Sequence, residues 1–178
     1  DVSANTAITD LDCRNNQLTT LDVSSNTALT ELQCNNNQLT SLDVSANTAL
    51  THLETQDNSL TSLDVSANTA LTELRCFTNQ LTSLDVSSNT ILNTLQCWNN
   101  QLTYLNMKNG VTEGLVAFEA SGNSLTCIET LDPDYATANW TNANGNIDEG
   151  VTFADICYAS NPSYTNVPDD NFEQALID

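Results

Sequence analysis

Apolar residues, mostly leucines, recur along this chain at a fixed interval of 21 residues, with polar residues at matching positions between them. Aligned from Leu18, four consecutive stretches read LTTLDVSSNTALTELQCNNNQ, LTSLDVSANTALTHLETQDNS, LTSLDVSANTALTELRCFTNQ and LTSLDVSSNTILNTLQCWNNQ, and a partial copy precedes them. Self-similarity at such a period is typical of solenoids, in which each repeat packs only on its neighbours. The pattern therefore predicts a stack of coils along one axis.

Shorter alternations inside each repeat predict β-strands. In Leu32-Gln33-Cys34 the first and third side chains should point inward and the second outward, as a strand requires. The Leu-Asp-Val triplets show the same alternation. Stacking then aligns the inward leucines in two buried columns, Leu32, Leu53, Leu74 and Leu95 in one and Leu42, Leu63 and Leu84 in the other.

Each repeat fits the pattern L-x-x-L-x-L-x-x-N twice, once as L-T-x-L-D-V-S-x-N and once as L-T-x-L-x-C-x-x-N. From about Asp1 to Leu131 the chain resembles the short, 21-residue bacterial class of leucine-rich repeats, found in secreted multidomain surface proteins. The resemblance implies a mainly β, right-handed leucine-rich-repeat solenoid with two short parallel β-strands per coil. It leaves no room for a helix on the convex side.

Two columns of asparagines are predicted to be structural, because an amide side chain can both donate to and accept from the backbone of a tight coil. They are Asn37, Asn58, Asn79 and Asn100 in one column and Asn26, Asn47, Asn68 and Asn89 in the other. A third column contains Cys13, Cys34, Cys76 and Cys97, with Thr55 at the remaining position. Their inward positions favour small buried hydrophobes over disulfides or a zinc site.

The stretch from Ser124 to Cys157 resembles the C-terminal cap of secreted bacterial leucine-rich-repeat proteins, in which two such cysteines are bridged. The resemblance implies a Cys127–Cys157 disulfide and hence an oxidising, extracellular or cell-surface location. We expect a solenoid at 1–124 that lacks its N-terminal cap, and a C-terminal cap at 125–160.

The last segment, 161–178, is expected to be a linker and the start of a following module, within a longer chain. Its sequence TNVPDDNFEQALID resembles the helical start of another leucine-rich-repeat block. Asp169 or Asp170 would cap that helix, and Phe172 and Leu176 would share one face.

The net charge of the chain excludes some classes of binding partner. The chain has 23 Asp and Glu against 3 Lys and Arg, a formal net charge of -20. Nucleic acids and anionic membranes are therefore unsuitable partners, and no apolar run is long enough to insert into a membrane. The inward cysteines cannot pair with the outward His52 as nucleophile and base, and no phosphate-loop, dinucleotide or zinc-protease motif is present, so we expect no enzyme.

The two predicted strands differ in how strictly they repeat. On the Leu-Asp-Val strand the outward residues are constant, whereas on the other strand they vary, as a surface that meets a non-repeating ligand would. Drift on an unconstrained surface would also produce variation. We define the variable face by its candidate binding residues Glu31, Gln33, His52, Glu54, Glu73, Arg75, Phe77, Gln96 and Trp98. Phe77 and Trp98 should stack, and His52 should lie between Glu31 and Glu73.

The constant strand carries Asp22, Asp43, Asp64 and Asp85 in one column, and like charges about 5 Å apart repel by roughly 1 kcal/mol in water. Hydroxyl donors from neighbouring Ser and Thr columns should offset this, with bound calcium as the alternative. In the cap, alternating oxygen ligands around a glycine make Asn142, Asn144, Asn146 and Asp148 weak calcium candidates. No other cofactor is expected.

These features favour a non-enzymatic recognition module that binds a protein partner at the cell surface through the variable face. Carbohydrate binding through the aromatic side chains, in a secreted glycan-utilisation protein, is the first alternative. A passive structural spacer is the second.

Overall fold

The computed structural model describes residues 1–157, which form a parallel β-solenoid. In chain order the strands are β1 (Asp10–Asp12), β2 (Glu31–Gln33), β3 (His52–Glu54), β4 (Glu73–Arg75), β5 (Ser83–Asp85), β6 (Thr94–Gln96), β7 (Tyr104–Met107), β8 (Ala117–Glu119), β9 (Cys127–Thr130) and β10 (Thr152–Ala154). A 3-10 turn spans Thr112–Gly114, and helix α1 spans Pro133–Asn139. The helix start expected at Asp169 or Asp170, with Phe172 and Leu176, lies outside the described residues.

Six strands, in the order β1-β2-β3-β4-β6-β8, form the first sheet, and β10-β9-β7-β5 form the second. Every pair is parallel, and residues one repeat apart lie opposite each other, as Leu32 lies opposite Leu53. The inward leucines Leu32, Leu53, Leu74 and Leu95 of the first sheet are fully buried, whereas Leu11 at its open end is partly buried. One coil cannot bury its own apolar edge, so each coil depends on contact with the next. The predicted solenoid fold is confirmed.

The second strand, predicted for every coil, is present in only some of the described coils. In the described residues it is present only from β5 onward, and the Leu-Asp-Val segments of the preceding coils do not pair as strands. A groove of about 400 Å³ lies beside Asp64 and Asp85 and is lined by serines of both coils. Repulsion along the Asp column opposes close pairing there. Where Asn106 takes the next Asp position, its Nδ2 donates to Asp85 Oδ2 at 3.2 Å, and the second sheet begins.

The asparagine columns hold neighbouring coils together, as predicted. Asn58 is typical: its Nδ2 donates to Cys34 O at 3.1 Å and Thr55 O at 3.0 Å, and its Oδ1 accepts the Leu39 N–H at 2.9 Å. In the second column, Asn47 Nδ2 donates to Val23 O and Asn26 O. These amides satisfy backbone groups that the turns leave unpaired.

The turn after each of the first five strands of the first sheet, β1, β2, β3, β4 and β6, contains one non-glycine residue in the left-handed region. These residues are Asn15, Asn36, Asp57, Thr78 and Asn99, with φ between 50° and 57°. Asparagine and aspartate tolerate this conformation, whereas a β-branched residue is strained in it. Thr78 is therefore the exception in the column, and it follows Phe77 directly.

The cap closes the edge of β8 by supplying the bonds that another coil would make. Asn146 O accepts the Ala120 N–H at 2.7 Å, and Asn146 Nδ2 donates to Phe118 O at 2.7 Å. Asp148 Oδ1 and Oδ2 accept the N–H groups of Gly122 and Asn123 at 2.9 and 3.0 Å. An exposed sheet edge invites unwanted pairing, which this arrangement prevents.

Behind that loop the cap has its own small core. Trp140 packs on Phe118, with ring centroids 4.4 Å apart, and on Phe153. Helix α1 begins after Asp132, whose side chain accepts the Tyr135 N–H at 2.9 Å. The predicted Cys127–Cys157 disulfide is present.

Candidate functional site

The first sheet brings the variable face together as rows across its strands. Glu31, His52, Glu73 and Thr94 lie opposite one another in one row, and Gln33, Glu54, Arg75 and Gln96 in the next. Phe77 and Trp98 follow β4 and β6 by two residues each and form a third row at the turn. All nine predicted residues are therefore on one side of one sheet.

Phe77 and Trp98 form an aromatic ridge on this face. Their ring centroids are 4.3 Å apart and their planes differ by 10°, so the rings are stacked as predicted. Both side chains are half-buried. Thr78 donates its N–H to Trp98 O at 3.0 Å, which couples the two turns that hold the rings. The strained φ of Thr78 thus lies within the ridge itself.

Arg75 is held between two carboxylates, that of Glu73 on its own strand and that of Glu54 on the neighbouring strand β3. Its Nε lies 2.6 Å from Glu73 Oε1, and its Nη1 lies 3.5 Å from Glu54 Oε1. These contacts fix the guanidinium against the sheet and neutralise it. Arg75 and these two glutamates also fill the centre of the variable face, beside Phe77.

His52 has the predicted position between Glu31 and Glu73. Its Nδ1 lies 2.9 Å from Thr51 Oγ1, within hydrogen-bond distance. The Thr51 hydroxyl donates its one proton to Thr30 O at 3.0 Å and accepts from a protonated Nδ1, so the ring is held to the backbone of the coil before it.

Sequence reasoning missed Glu119, which extends the variable face by one coil. Glu119 lies opposite Gln96 in the row of β6 and β8, and Gln96 Nε2 donates to its Oε1 at 3.3 Å. The repeat register is shifted by the irregular segment that contains the 3-10 turn, which hid the position. The pattern Phe118-Glu119-Ala120, apolar then acidic then apolar, was the available signal.

The opposite face shows how the Asp column is tolerated. Ser24 Oγ donates to Asp22 Oδ1 at 2.7 Å, and the backbone N–H groups of Ser24, Ser45 and Ser66 donate to the preceding Asp carboxylates. These serine bonds lower the pKa values of Asp22, Asp43 and Asp64 below the usual value. Hydroxyl and backbone donors of the serine column therefore offset part of the repulsion, as expected of them, whereas the Thr103 hydroxyl donates to a backbone carbonyl.

The four cysteines that recur in the repeats are unbridged thiols. Cys34, Cys76 and Cys97 are buried, and Cys13 is half-buried. Burial raises the pKa values of Cys34 and Cys76 to about 12, so neither forms a thiolate nucleophile near neutral pH. Cys34 Sγ contacts Glu54 O at 3.5 Å, and Thr55 Oγ1 donates to Arg75 O at 3.4 Å. Threonine thus replaces cysteine with the same contact to the next coil.

The calcium candidates of the cap bond to the protein. The Asp148 carboxylate and the Asn146 amide close β8, and Asn142 Nδ2 donates to Ile147 O at 3.2 Å. Asn144 donates its N–H to Thr141. Within residues 1–157 no group of three or more His, Cys, Asp or Glu side chains is placed to hold a metal ion. These bonds explain why the residues are there, and calcium binding stays a prediction.

A buried acidic group in the cap was also missed. Glu129 is 1% exposed; it accepts the Cys157 N–H at 3.1 Å and the Tyr104 hydroxyl at 3.3 Å, and Lys108 Nζ lies 3.8 Å away. Two causes raise the pKa of Tyr104 to about 12: burial is the larger, and the nearby negative charge of Glu129 is the second. The cluster ties the disulfide-bonded segment to the second sheet. Its signal was a glutamate two residues after Cys127 that continues the column of Asp85 and Asn106, an outward row that the cap covers.

Comparison with solved structures agrees with this geometry. A functional domain of InlJ from Listeria monocytogenes, described as including a cysteine ladder, matches with 37% identity and a TM-score of 0.55. This chain has the leucine-rich-repeat fold. A leucine-rich-repeat protein of Leptospira interrogans matches at 22% identity and a TM-score of 0.59, and the internalin InlF of L. monocytogenes at 24% and 0.56.

The matches cover 73%, 75% and 79% of this chain but 36%, 39% and 39% of those chains, respectively. The chain therefore spans less than half of the proteins it resembles. No family model matches it, and no curated protein does. In the described part, no helix has both the length and the apolar character needed to cross a bilayer.

Proposed function

We propose that this leucine-rich-repeat chain is a non-enzymatic recognition module of the 21-residue bacterial class that binds a protein partner through the variable face. The observation that carries the proposal is the stacked, partly exposed Phe77–Trp98 ridge, on the one sheet face where the repeats diverge. Aromatic side chains of this kind supply much of the binding energy in protein interfaces. The bacterial leucine-rich-repeat neighbours support an interaction role in general.

The ring geometry favours a protein over a sugar. A flat sugar ring binds on the face of an aromatic ring, but Phe77 and Trp98 each cover one face of the other. The buried Gln56 precedes Phe77 in the same column, on the side away from Trp98. The ridge therefore leaves at most one ring face open, that of Trp98, beside ring edges and an apolar flank, which suit irregular protein side chains.

We also propose that the module works outside the cytoplasm. The Cys127–Cys157 disulfide closes the cap, and disulfides persist in oxidising compartments. The strongly acidic composition is compatible with an exposed, soluble surface.

The test compares immobilised wild-type protein with two double variants, incubated with proteins extracted from cell surfaces and culture medium. Phe77→Ala/Trp98→Ala removes the ridge, and Asp43→Asn/Asp64→Asn changes the opposite face as a control. We expect quantitative mass spectrometry to show a protein retained by wild type and control and reduced at least about ten-fold by the ridge variant, as for a hot spot worth over 1.4 kcal/mol.

Retention that does not depend on the ridge would contradict the proposal. A glycan array provides the other decisive measurement. Micromolar binding to a defined sugar that is lost in Trp98→Ala would establish the carbohydrate alternative instead.

A further inference from the structure

The positive charges on the Lys and Arg side chains of the chain are all engaged internally. The sequence has three Lys and Arg residues, and each forms an ion pair. Arg14 Nη2 lies 3.1 Å from Asp12, Arg75 bridges Glu54 and Glu73, and Lys108 contacts Glu129 and Asp155. No Lys or Arg is left over to neutralise an acidic group on a partner.

The variable face and its two flanking strands, β1 and β8, are rich in carboxylates. Six of them project from the outward rows of the first sheet, namely Asp10, Asp12, Glu31, Glu54, Glu73 and Glu119. Arg75 of the variable face and Arg14, two residues after β1, neutralise part of this set. Within residues 1–157, Asp10, Glu31 and Glu119 have no Lys or Arg partner. A partner that docks here must therefore supply the positive charge.

The aromatic ridge adds an indole to this acidic surface. Trp98 follows Gln96 by two residues, and Gln96 donates to Glu119 on the next strand, so an indole and a carboxylate border the same end of the face. Indole is the aromatic group that attracts cations best, and a neighbouring carboxylate adds to the attraction. Arginine, with its planar and weakly hydrated guanidinium, suits both groups at once.

Resting on the function proposed above, we infer that the variable face recognises a basic protein surface. An arginine of that surface packs on Trp98 near Glu119, and further cationic side chains pair with Glu31 and the neighbouring carboxylates. A second copy of this chain does not fit, because two faces with the same surplus of negative charge repel each other. An acidic partner is disfavoured for the same reason.

The experiment uses the full chain and four fluorescently labelled decapeptides, in which glycine alternates with arginine, lysine, glutamate or serine. Fluorescence anisotropy gives their dissociation constants at low and high salt. Trp98→Leu and Glu31→Gln/Glu119→Gln alter the variable face. Asp43→Asn/Asp64→Asn is the matched control, because it also removes two negative charges, but from the opposite face. A thermal unfolding midpoint for each variant verifies that it is folded.

We expect the arginine peptide to bind most tightly, the lysine peptide next, and both to weaken with salt. Trp98→Leu and Glu31→Gln/Glu119→Gln should each weaken the arginine peptide about five-fold, and the control less than about two-fold.

Equal weakening by the variable-face and control charge variants would overturn the inference, because binding would then follow net charge alone. So would a glutamate peptide that binds as well as the arginine peptide, or an arginine peptide no tighter than the serine one. Failure here is distinguishable from failure of the proposed function. A captured protein that depends on Phe77 and Trp98 but presents a neutral or acidic surface would refute only the basic partner.

Discussion

Thr78 is a threonine in a backbone conformation that its neighbours in the column meet with asparagine or aspartate. Its φ is 50°, whereas Asn36 and Asn99 have 54° and 51° at the equivalent positions. A β-branched side chain in the left-handed region costs about 1 to 2 kcal/mol more than in an ordinary conformation. Thr78→Asn should remove much of this cost.

The same substitution offers a second gain. Asn36 Nδ2 donates to Asn15 Oδ1 on the preceding coil, and an asparagine at position 78 could bond to Asp57 in the same way. We therefore expect Thr78→Asn to raise the free energy of unfolding by about 1 kcal/mol, and the thermal midpoint by about 2 to 4 °C for a chain of this size.

The assay is thermal and urea unfolding followed by circular dichroism, with two controls. Thr78→Val keeps the branched side chain and should bring no gain. Thr61→Asn makes the same chemical change at an exposed position whose φ is not positive. Equal stability of Thr78→Asn and wild type, or an equal gain from Thr61→Asn, would refute the strain argument.

Three further predictions concern the coils and the cap. Asn58→Ala removes four bonds to partly buried backbone groups and should destabilise the protein by about 2 to 4 kcal/mol, measured by urea unfolding. Because the folded-state pKa values of Asp43 and Asp64 are lowered, their contribution is present above the unfolded-state pKa and lost as pH falls through the folded one. Stability should therefore decline from about pH 5 to pH 2, and less steeply in Asp43→Asn/Asp64→Asn. Replacing Cys127 and Cys157 by serine should cost about 3 to 4 kcal/mol, and a free thiol at either position in non-reducing mass spectrometry would contradict the bridge.

Features that repeat were predictable because a stacked column imposes the same demand on every coil. The buried leucines, Asn58 and its equivalents, and the stacked Phe77 and Trp98 all follow from alignment of one repeat with the next. The direction of each strand then fixes which residues point outward. The variable face could therefore be assembled from the sequence.

Features that depend on small differences between coils were not predictable. Where the second sheet begins depends on Asn106, a single amide in a column of carboxylates, and the repeat pattern alone does not weigh that exchange. Glu129 and Asn146 act in contacts that span 25 to 28 residues and have no equivalent in other coils. Only the three-dimensional packing shows what they bind.

The way in which Asn146 and Asp148 close β8 has a consequence for how such a protein evolves by gain or loss of repeats. The cap recognises the backbone of the last strand and its turn, through bonds to Ala120, Phe118, Gly122 and Asn123, rather than a particular set of coils further away. Duplication or loss of an internal 21-residue unit would leave this junction intact. The number of coils, and with it the length of the surface offered to a partner, can therefore vary by whole repeats while the end of the stack stays sealed.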